Sequence, residues 1–135
     1  MKKKLNCVLL IDDNPDDNFF HEREIKKNDI ATHIVTMNSG SDALSFIKSQ
    51  ADNMDMRPDL IFLDINMPGM NGWEFLEQYE LLDKELQNGI IIVMLSTSEN
   101  PDDIAMAKKW SFVFGFFSKP LSKEILKIIV DKYFV

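Results

Sequence analysis

Asp64 closes the stretch that most constrains the fold. Before it stand four apolar residues in a row, Leu60-Ile61-Phe62-Leu63, and after it Ile65-Asn66-Met67-Pro68-Gly69-Met70-Asn71-Gly72 brings in turn formers. A run that short cannot make a helix and reads as a strand buried on both faces. A carboxylate ending such a strand is costly to bury unpaired. Asp64 is therefore expected where the strand emerges into a crevice, with cations close by.

Strand, polar end and capped helix recur along the chain. Residues 5–11 are apolar apart from Asn6 and run into Asp12-Asp13. Asn14-Pro15-Asp16-Asp17 then has the composition of a helix start: Asn caps, Pro suits the first helical position, and acids complement the helix dipole. Asn100-Pro101-Asp102-Asp103 repeats this tetrapeptide, but the flanking sequences do not match, so it is shared capping chemistry and not an internal repeat. Along the first helix Phe20 and Ile25 are expected to face the core. Residues 30–37 read as a second strand, and Asn38-Ser39-Gly40-Ser41 turns into a helix whose Ala43, Leu44, Phe46 and Ile47 form one apolar stripe. Residues 49–58, largely polar with Met54 and Met56 and ending in Pro58, read as a loop.

Asn71 can cap a third helix presenting Phe75, Leu76, Tyr79 and Leu82, followed by a polar connector over residues 83–89. A fourth strand over residues 90–95 ends in Ser96-Thr97-Ser98, and a fourth helix opens at Asn100-Pro101. A fifth strand over residues 112–117 is aromatic at four of six positions and ends in Ser118-Lys119-Pro120. Ser122 can cap the last helix, lined by Ile125, Leu126, Ile129 and Val130, before the apolar end Tyr133-Phe134-Val135.

Five short strands alternating with five helices imply a parallel sheet covered on both sides, a three-layer α/β/α sandwich. The 135 residues fit a single domain, 1–135, without a linker. Ligands of such sheets bind beyond the carboxyl ends of the strands. Asp12, Asp13, Asp64, Ser96 and Lys119 all fall at such ends, so one crevice is expected to collect them.

Charge and composition exclude several functions. A formal net charge of -7 argues against a nucleic-acid surface, which needs clustered Lys and Arg. Lys2-Lys3-Lys4 precedes an apolar stretch of seven residues, too short for a signal-peptide core or a membrane span, so no membrane partner and a cytoplasmic location are expected. Cys7, the one cysteine, sits in an apolar strand and reads as a packed, inert thiol. His21 and His33 lack ligand-like spacing and are assigned surface or packing roles, and the Met residues form no metal-binding cluster.

Three carboxylates in one crevice repel unless a cation intervenes. Magnesium suits them, because it takes octahedral oxygen ligation and keeps several waters; Asp13, Asp64 and a backbone carbonyl near Asn66 would suffice. An open position on that ion, the Lys119 ammonium and the Ser96 hydroxyl could hold phosphoryl oxygens, with Asp64 placed as nucleophile. Phosphoryl transfer needs mainly in-line positioning and charge neutralisation, and the product here would be an aspartyl phosphate.

The chain resembles a response-regulator receiver domain of bacterial two-component signalling over essentially all its length. The resemblance rests on the acidic pair Asp12-Asp13, Asp64 to Gly72 in a D-x-x-M-P-x-M-x-G context, Ser96, and Lys119-Pro120, all in order at strand ends. It implies a flavodoxin-like fold with strand order 2-1-3-4-5, a cis Lys119-Pro120 peptide bond, and Phe116 as the switch aromatic. It further implies that Asp64 accepts a phosphoryl group from a histidine kinase, with Mg2+ held directly by Asp13 and through water by Asp12. The domain would catalyse only its own phosphorylation and dephosphorylation. Phosphorylation would draw the Ser96 hydroxyl inward, let Phe116 turn, and remodel the face of the fourth helix, fifth strand and fifth helix. With no output domain after residue 135, the signal is expected to leave by contact with a downstream protein or through a homodimer on that face, as in stand-alone receivers serving phytochrome-like or hybrid kinases. Phe116 stands where many relatives have Tyr and brings no hydroxyl to that switch.

Blander readings exist for each piece: an acidic pair before a helix is commonly a cap, a Lys before Pro is commonly solvated, and aromatic strand residues are commonly core. Their joint placement at strand ends separates this chain from those cases. A flavodoxin-like cofactor binder needs a neutral, amide-rich first loop, which Asp12-Asp13-Asn14-Pro15-Asp16-Asp17 is not. An aspartyl phosphatase with its D-x-D pattern would need an acid where Asn66 stands. A receiver that is never phosphorylated would lack an essential group, and none is missing.

Overall fold

In a computed structural model, described over residues 4–50, 52, 53, 56–97 and 100–134, the chain builds one parallel sheet with helices on both faces. Of the residues named above, Lys2, Lys3, Met54, Ser98 and Val135 lie outside the described set. The strands are β1 (Leu5–Ile11), β2 (Ala31–Met37), β3 (Leu60–Leu63), β4 (Ile91–Ser96) and β5 (Val113–Ser118). The helices are α1 (Pro15–Lys27), α2 (Gly40–Ser49), α3 (Gly72–Glu80), α4 (Lys84–Gln87), α5 (Pro101–Ala107) and α6 (Lys123–Tyr133). Strand order is β2-β1-β3-β4-β5, all parallel, as the resemblance implied. No helix among the described residues is long and apolar enough to cross a membrane.

The alternation of side chains along a strand sends successive residues into two cores. Leu9 and Ile11 of β1, Ile61 and Leu63 of β3, and Ile92 and Met94 of β4 meet Ala43, Ile47, Phe75, Leu76 and Tyr79 on one face. Val8 and Leu10, Leu60 and Phe62, and Val93 and Leu95 meet Ile25, Leu126 and Ile129 on the other. Burial on both faces explains why the three central strands read as nearly continuous apolar runs, broken in β1 only by the exposed Asn6. Cys7 is fully buried, and burial pushes its thiol up to about 12, in keeping with an inert packed residue.

Each longer helix starts where a side chain can cap it. Asn14 accepts from the backbone N–H groups of Asp16 and Asp17, Ser39 from Asp42, Asn100 from Asp102 and Ser122 from Ile125. At α3, Asn71 and Glu74 form a reciprocal capping box. The polar connector at residues 83–89 is a correction: it holds the one-turn α4, making six helices among the described residues, because the Leu86 and Asn88 N–H groups donate to the Asp83 and Lys84 carbonyls and the Arg57 guanidinium donates to the carbonyls of Glu85 and Asn88. The face expected from the fourth helix, fifth strand and fifth helix is therefore α5-β5-α6.

The first helix is a second correction. Ile25 is buried, but Phe20 is 43% exposed and Phe19 67%. The Asn14 cap and Pro15 at the first position set the phase of α1 so that Asn18, His21 and Ile25, spaced by three and four, face the sheet.

Gly72 seats the loop that carries Asp64. Its N–H donates to the Ile65 carbonyl at 2.8 Å, and a Cβ there would lie 2.6 Å from the Asp64 carbonyl oxygen and 2.9 Å from Ile65 Cα. Both obstacles are backbone and cannot swing aside. Gly72→Ala is expected to destabilise the fold by about 1–3 kcal/mol, the usual effect of forced overpacking, read as a lower midpoint in urea unfolding. Cys7 should resist Ellman's reagent in the native protein and react fully in denaturant.

Candidate functional site

The carboxyl edge of the sheet collects the polar strand ends. Asp12 follows β1, Asp64 follows β3, Ser96 ends β4 and Lys119 follows β5. Sheet order places β1 and β4 on either side of β3, and β5 next to β4, so these residues converge although Asp12 and Lys119 are 107 positions apart in sequence. The Asp64 N–H donates to the Ile11 carbonyl at 3.0 Å, and the Lys119 N–H to the Ser96 carbonyl at 2.9 Å, which extends the ladder into the site. The Lys119-Pro120 peptide bond is cis.

Asp12, Asp13 and Asp64 each offer a carboxylate oxygen within 4.8 Å of the others. Asp13 is the least buried of the three. Asp12 is engaged at both oxygens: Oδ1 accepts from the Asn14 N–H at 3.0 Å and Oδ2 from Lys119 Nζ at 2.6 Å. The same ammonium donates to Asp17 Oδ2 at 2.9 Å and stands 3.6 Å from Asp64 Oδ1. One cation thus faces three carboxylates, two through hydrogen bonds and Asp64 through charge alone.

Burial dominates the ionisation of Asp64. It lifts the carboxyl to about 6, the Lys119 charge opposes that rise, the charges of Asp12 and Asp13 add to it, and a hydrogen bond from the Ile65 backbone favours the anion. Burial also works against the Lys119 ammonium, but hydrogen bonds to Asp12 and Asp17 with the charges of Asp64 and Asp12 outweigh it and hold its pKa above the ordinary lysine value. The donors are hard oxygens, and excess negative charge remains after Lys119 is counted, a set that fits a small divalent cation. Ser96 is fully buried at the end of β4. Asn66 is exposed in the loop beyond Asp64. Phe116, half-buried on β5, pairs in register with Met94 and packs against the core on the α2-α3 side.

Three residues of α1 were not foreseen here. Asp17 binds Lys119; Asn18, buried, donates to the carbonyl of Asp12 at 2.9 Å; His21, buried, lines a small cavity with Asp12, Asn18 and Asp64. Burial and the nearby Lys119 charge lower the His21 pKa, against the opposing pull of Asp17 and Asp12. The signal was the helix phase: counting by three and four from the Asn14 cap to Ile25 passes through these positions, whereas reading apolar residues alone picks Phe20.

A doubly wound five-stranded sheet with a carboxylate trio, a lysine and a hydroxyl at its carboxyl edge defines a class of α/β domain built to handle a cation and an anion together. The response regulator receiver domain family model matches residues 8–131, and the chain belongs to that family. It is a receiver domain of the two-component response regulators, a family whose members interact with histidine kinases and downstream effectors. It is similar to a two-component response regulator from Cytophaga hutchinsonii, with 32% identity, a TM-score of 0.89, and 97% and 98% of the two chains covered. The bacteriophytochrome response regulator AtBRR shares 25% identity at a TM-score of 0.78, with 97% and 94% covered. Response regulator Rcp1 of Synechocystis sp. is 31% identical over 98 residues, 72% of this chain but only 65% of that protein's length.

The raised Asp64 pKa carries a sign for stability. Between its ordinary carboxylate value and about 6 the folded protein binds the proton more tightly than the unfolded chain, so stability falls as pH rises through that window and the loss is complete above it. A rise from the ordinary carboxylate value to about 6 corresponds to roughly 3 kcal/mol. Without divalent ions, Asp64→Asn is therefore expected to be more stable than the wild type by about 1–3 kcal/mol at pH 7 and to lose most of the decline between pH 4 and 6. Urea titrations at four or five pH values check it; a mutant that is less stable at pH 7, or that keeps the full decline, would contradict it.

Proposed function

We propose that Asp64 is the phosphoryl acceptor of this receiver, taking the group from a histidine kinase phosphohistidine. One observation carries the reading: a nearly buried strand-end carboxylate faces the only ammonium in the crevice among the described residues, without being hydrogen-bonded to it. In the transfer the phosphohistidine P–N bond breaks, its electron pair returns to the imidazole, and a P–O bond forms to an Asp64 carboxylate oxygen. Lys119 and the Ser96 hydroxyl hold phosphoryl oxygens as charge develops, and burial of Asp64 keeps competing water away.

Magnesium would be held by Asp13, Asp64 and the backbone carbonyl of Asn66, and by Asp12 through water; when bound, it supplies charge neutralisation at the phosphoryl oxygens. Asp12 is the weaker candidate for direct ligation because Asn14 and Lys119 already engage its two oxygens. We read the 135 residues as one receiver unit that acts in the cytoplasm and catalyses only its own phosphorylation and loss of phosphate.

Output, in this reading, runs from Ser96 through Phe116 to the α5-β5-α6 face, where a downstream protein or a second copy binds. Supporting it, Ile104, Phe114 and Ile128 are exposed there, and the Tyr133 hydroxyl donates to the Phe114 carbonyl, tying α6 to β5. A partner that binds both states equally would transmit nothing, so affinity must differ between them.

Intact mass after treatment with acetyl phosphate and magnesium should show one added phosphoryl group, absent in Asp64→Asn and without magnesium. Persistence of the label in Asp64→Asn would place the acceptor elsewhere. Sedimentation across a concentration series should differ with and without a beryllofluoride mimic, and Ser96→Ala should blunt that difference.

A further inference from the structure

The tetrapeptide that starts α1 explains more than a helix cap. Asn14 caps, Pro15 occupies the first position, and Asp16, exposed, complements the dipole. Asp17 belongs to the same first turn but is less exposed and points its carboxylate at Lys119, 2.9 Å from Oδ2 to Nζ. A helix start needs no such contact, and Asp16 already supplies an acid to that turn.

The ammonium has three N–H donors. Two are committed, to Asp12 and to Asp17, and both partners lie on the β1-α1 side of the crevice. Asp64 lies on the far side at 3.6 Å, beyond hydrogen-bond reach. The third N–H is left over, but while Asp12 and Asp17 hold the ammonium it stops 3.6 Å from Asp64, so drawing Nζ toward a phosphoryl oxygen there lengthens at least one of these two bonds. Asp12 is the harder one to break: its contact is shorter, at 2.6 Å, and its side chain is 5% exposed, against 38% for Asp17. Asp17, which water can resolvate, is the partner that lets go.

We infer that Asp17 is a positioning residue that sets the resting place of Lys119, holding the ammonium back from Asp64 and thereby slowing phosphorylation. This rests on the reading of Asp64 as acceptor and Lys119 as phosphoryl contact. Asp17 touches neither the phosphoryl group nor the acceptor; it acts through the lysine.

The test uses the full chain with acetyl phosphate and magnesium at fixed ionic strength, where the acetyl phosphate P–O bond breaks, the Asp64 P–O bond forms and acetate leaves. Asp17→Asn should be phosphorylated about three to ten times faster than the wild type, the range for loss of one partly exposed, charge-assisted hydrogen bond. Asp17→Glu, which keeps a carboxylate within reach of Lys119, should return toward the wild-type rate. Asp16→Asn removes the same charge from the same turn without touching Lys119 and reports the effect of charge alone. A second readout needs no phosphorylation: in the metal-free protein the Lys119 ammonium 15N resonance should move in Asp17→Asn and stay in place in Asp16→Asn.

Equal rates for Asp17→Asn and Asp16→Asn, or an unmoved Lys119 resonance, would overturn the proposal while leaving Asp64 as acceptor. A wild type that takes no phosphoryl group at Asp64 would overturn the reading of the site itself, and the proposal with it.

Discussion

One ammonium balancing several carboxylates is the interaction on which this molecule turns. Lys119 reaches Asp12 and Asp17 by hydrogen bonds and Asp64 by charge, from a side chain that is itself only 10% exposed. Without it, buried carboxylates would face one another in a medium of low dielectric, where like charges within a few ångströms are strongly unfavourable. With it, negative charge still exceeds positive, and Asp64 stays hard to ionise. A site left short of positive charge could hold a metal ion, and that shortfall is a source of instability at neutral pH. If Asp64 is the acceptor proposed above, function and stability pull against each other there, a common condition of reactive sites.

The sheet makes this arrangement possible because its strands are packed on both faces up to their charged ends. Three central strands are buried on both faces, and their apolar side chains divide between two cores by simple alternation. The strands can therefore end abruptly in charged residues while their apolar bodies hold the ends in register. Gly72 fits under the Asp64-Ile65 backbone with no room for a Cβ, so the loop bearing Asp64 is fixed against the start of α3. The β5 edge differs. Its residues are half-buried or exposed, its register with β4 shifts between Ile92 and Val93, and Phe116 lies there, on the side where output is proposed to leave.

The corrections share a cause. Phe20 looked like core because it is apolar, and the connector at residues 83–89 looked unstructured because it is polar. In the first case the cap at Asn14 overrode hydropathy by setting the helix phase, which turned Asn18 and His21 inward beneath the site. In the second, Arg57, 28 positions before Glu85, donates to carbonyls at the end of a turn that the backbone of residues 83–88 also bonds. Local composition was a poor guide wherever a cap or a distant donor decided the geometry.

What the sequence by itself determined was the order of the five strands and the longer helices, the positions of their caps and the strand ends that carry Asp12, Asp13, Asp64, Ser96 and Lys119. Those follow from side-chain period and capping chemistry, which act within a few residues along the chain. What only the tertiary structure decided was which carboxylates the Lys119 ammonium would choose. Asp17 is 102 positions away, with its partnership hidden behind a plausible role as a helix-start acid. That choice depends on how α1 is placed at the sheet edge and on distances that run only from 2.6 to 3.6 Å among three oxygens. No periodicity encodes such distances, because they arise only when elements far apart in sequence are packed against the same sheet.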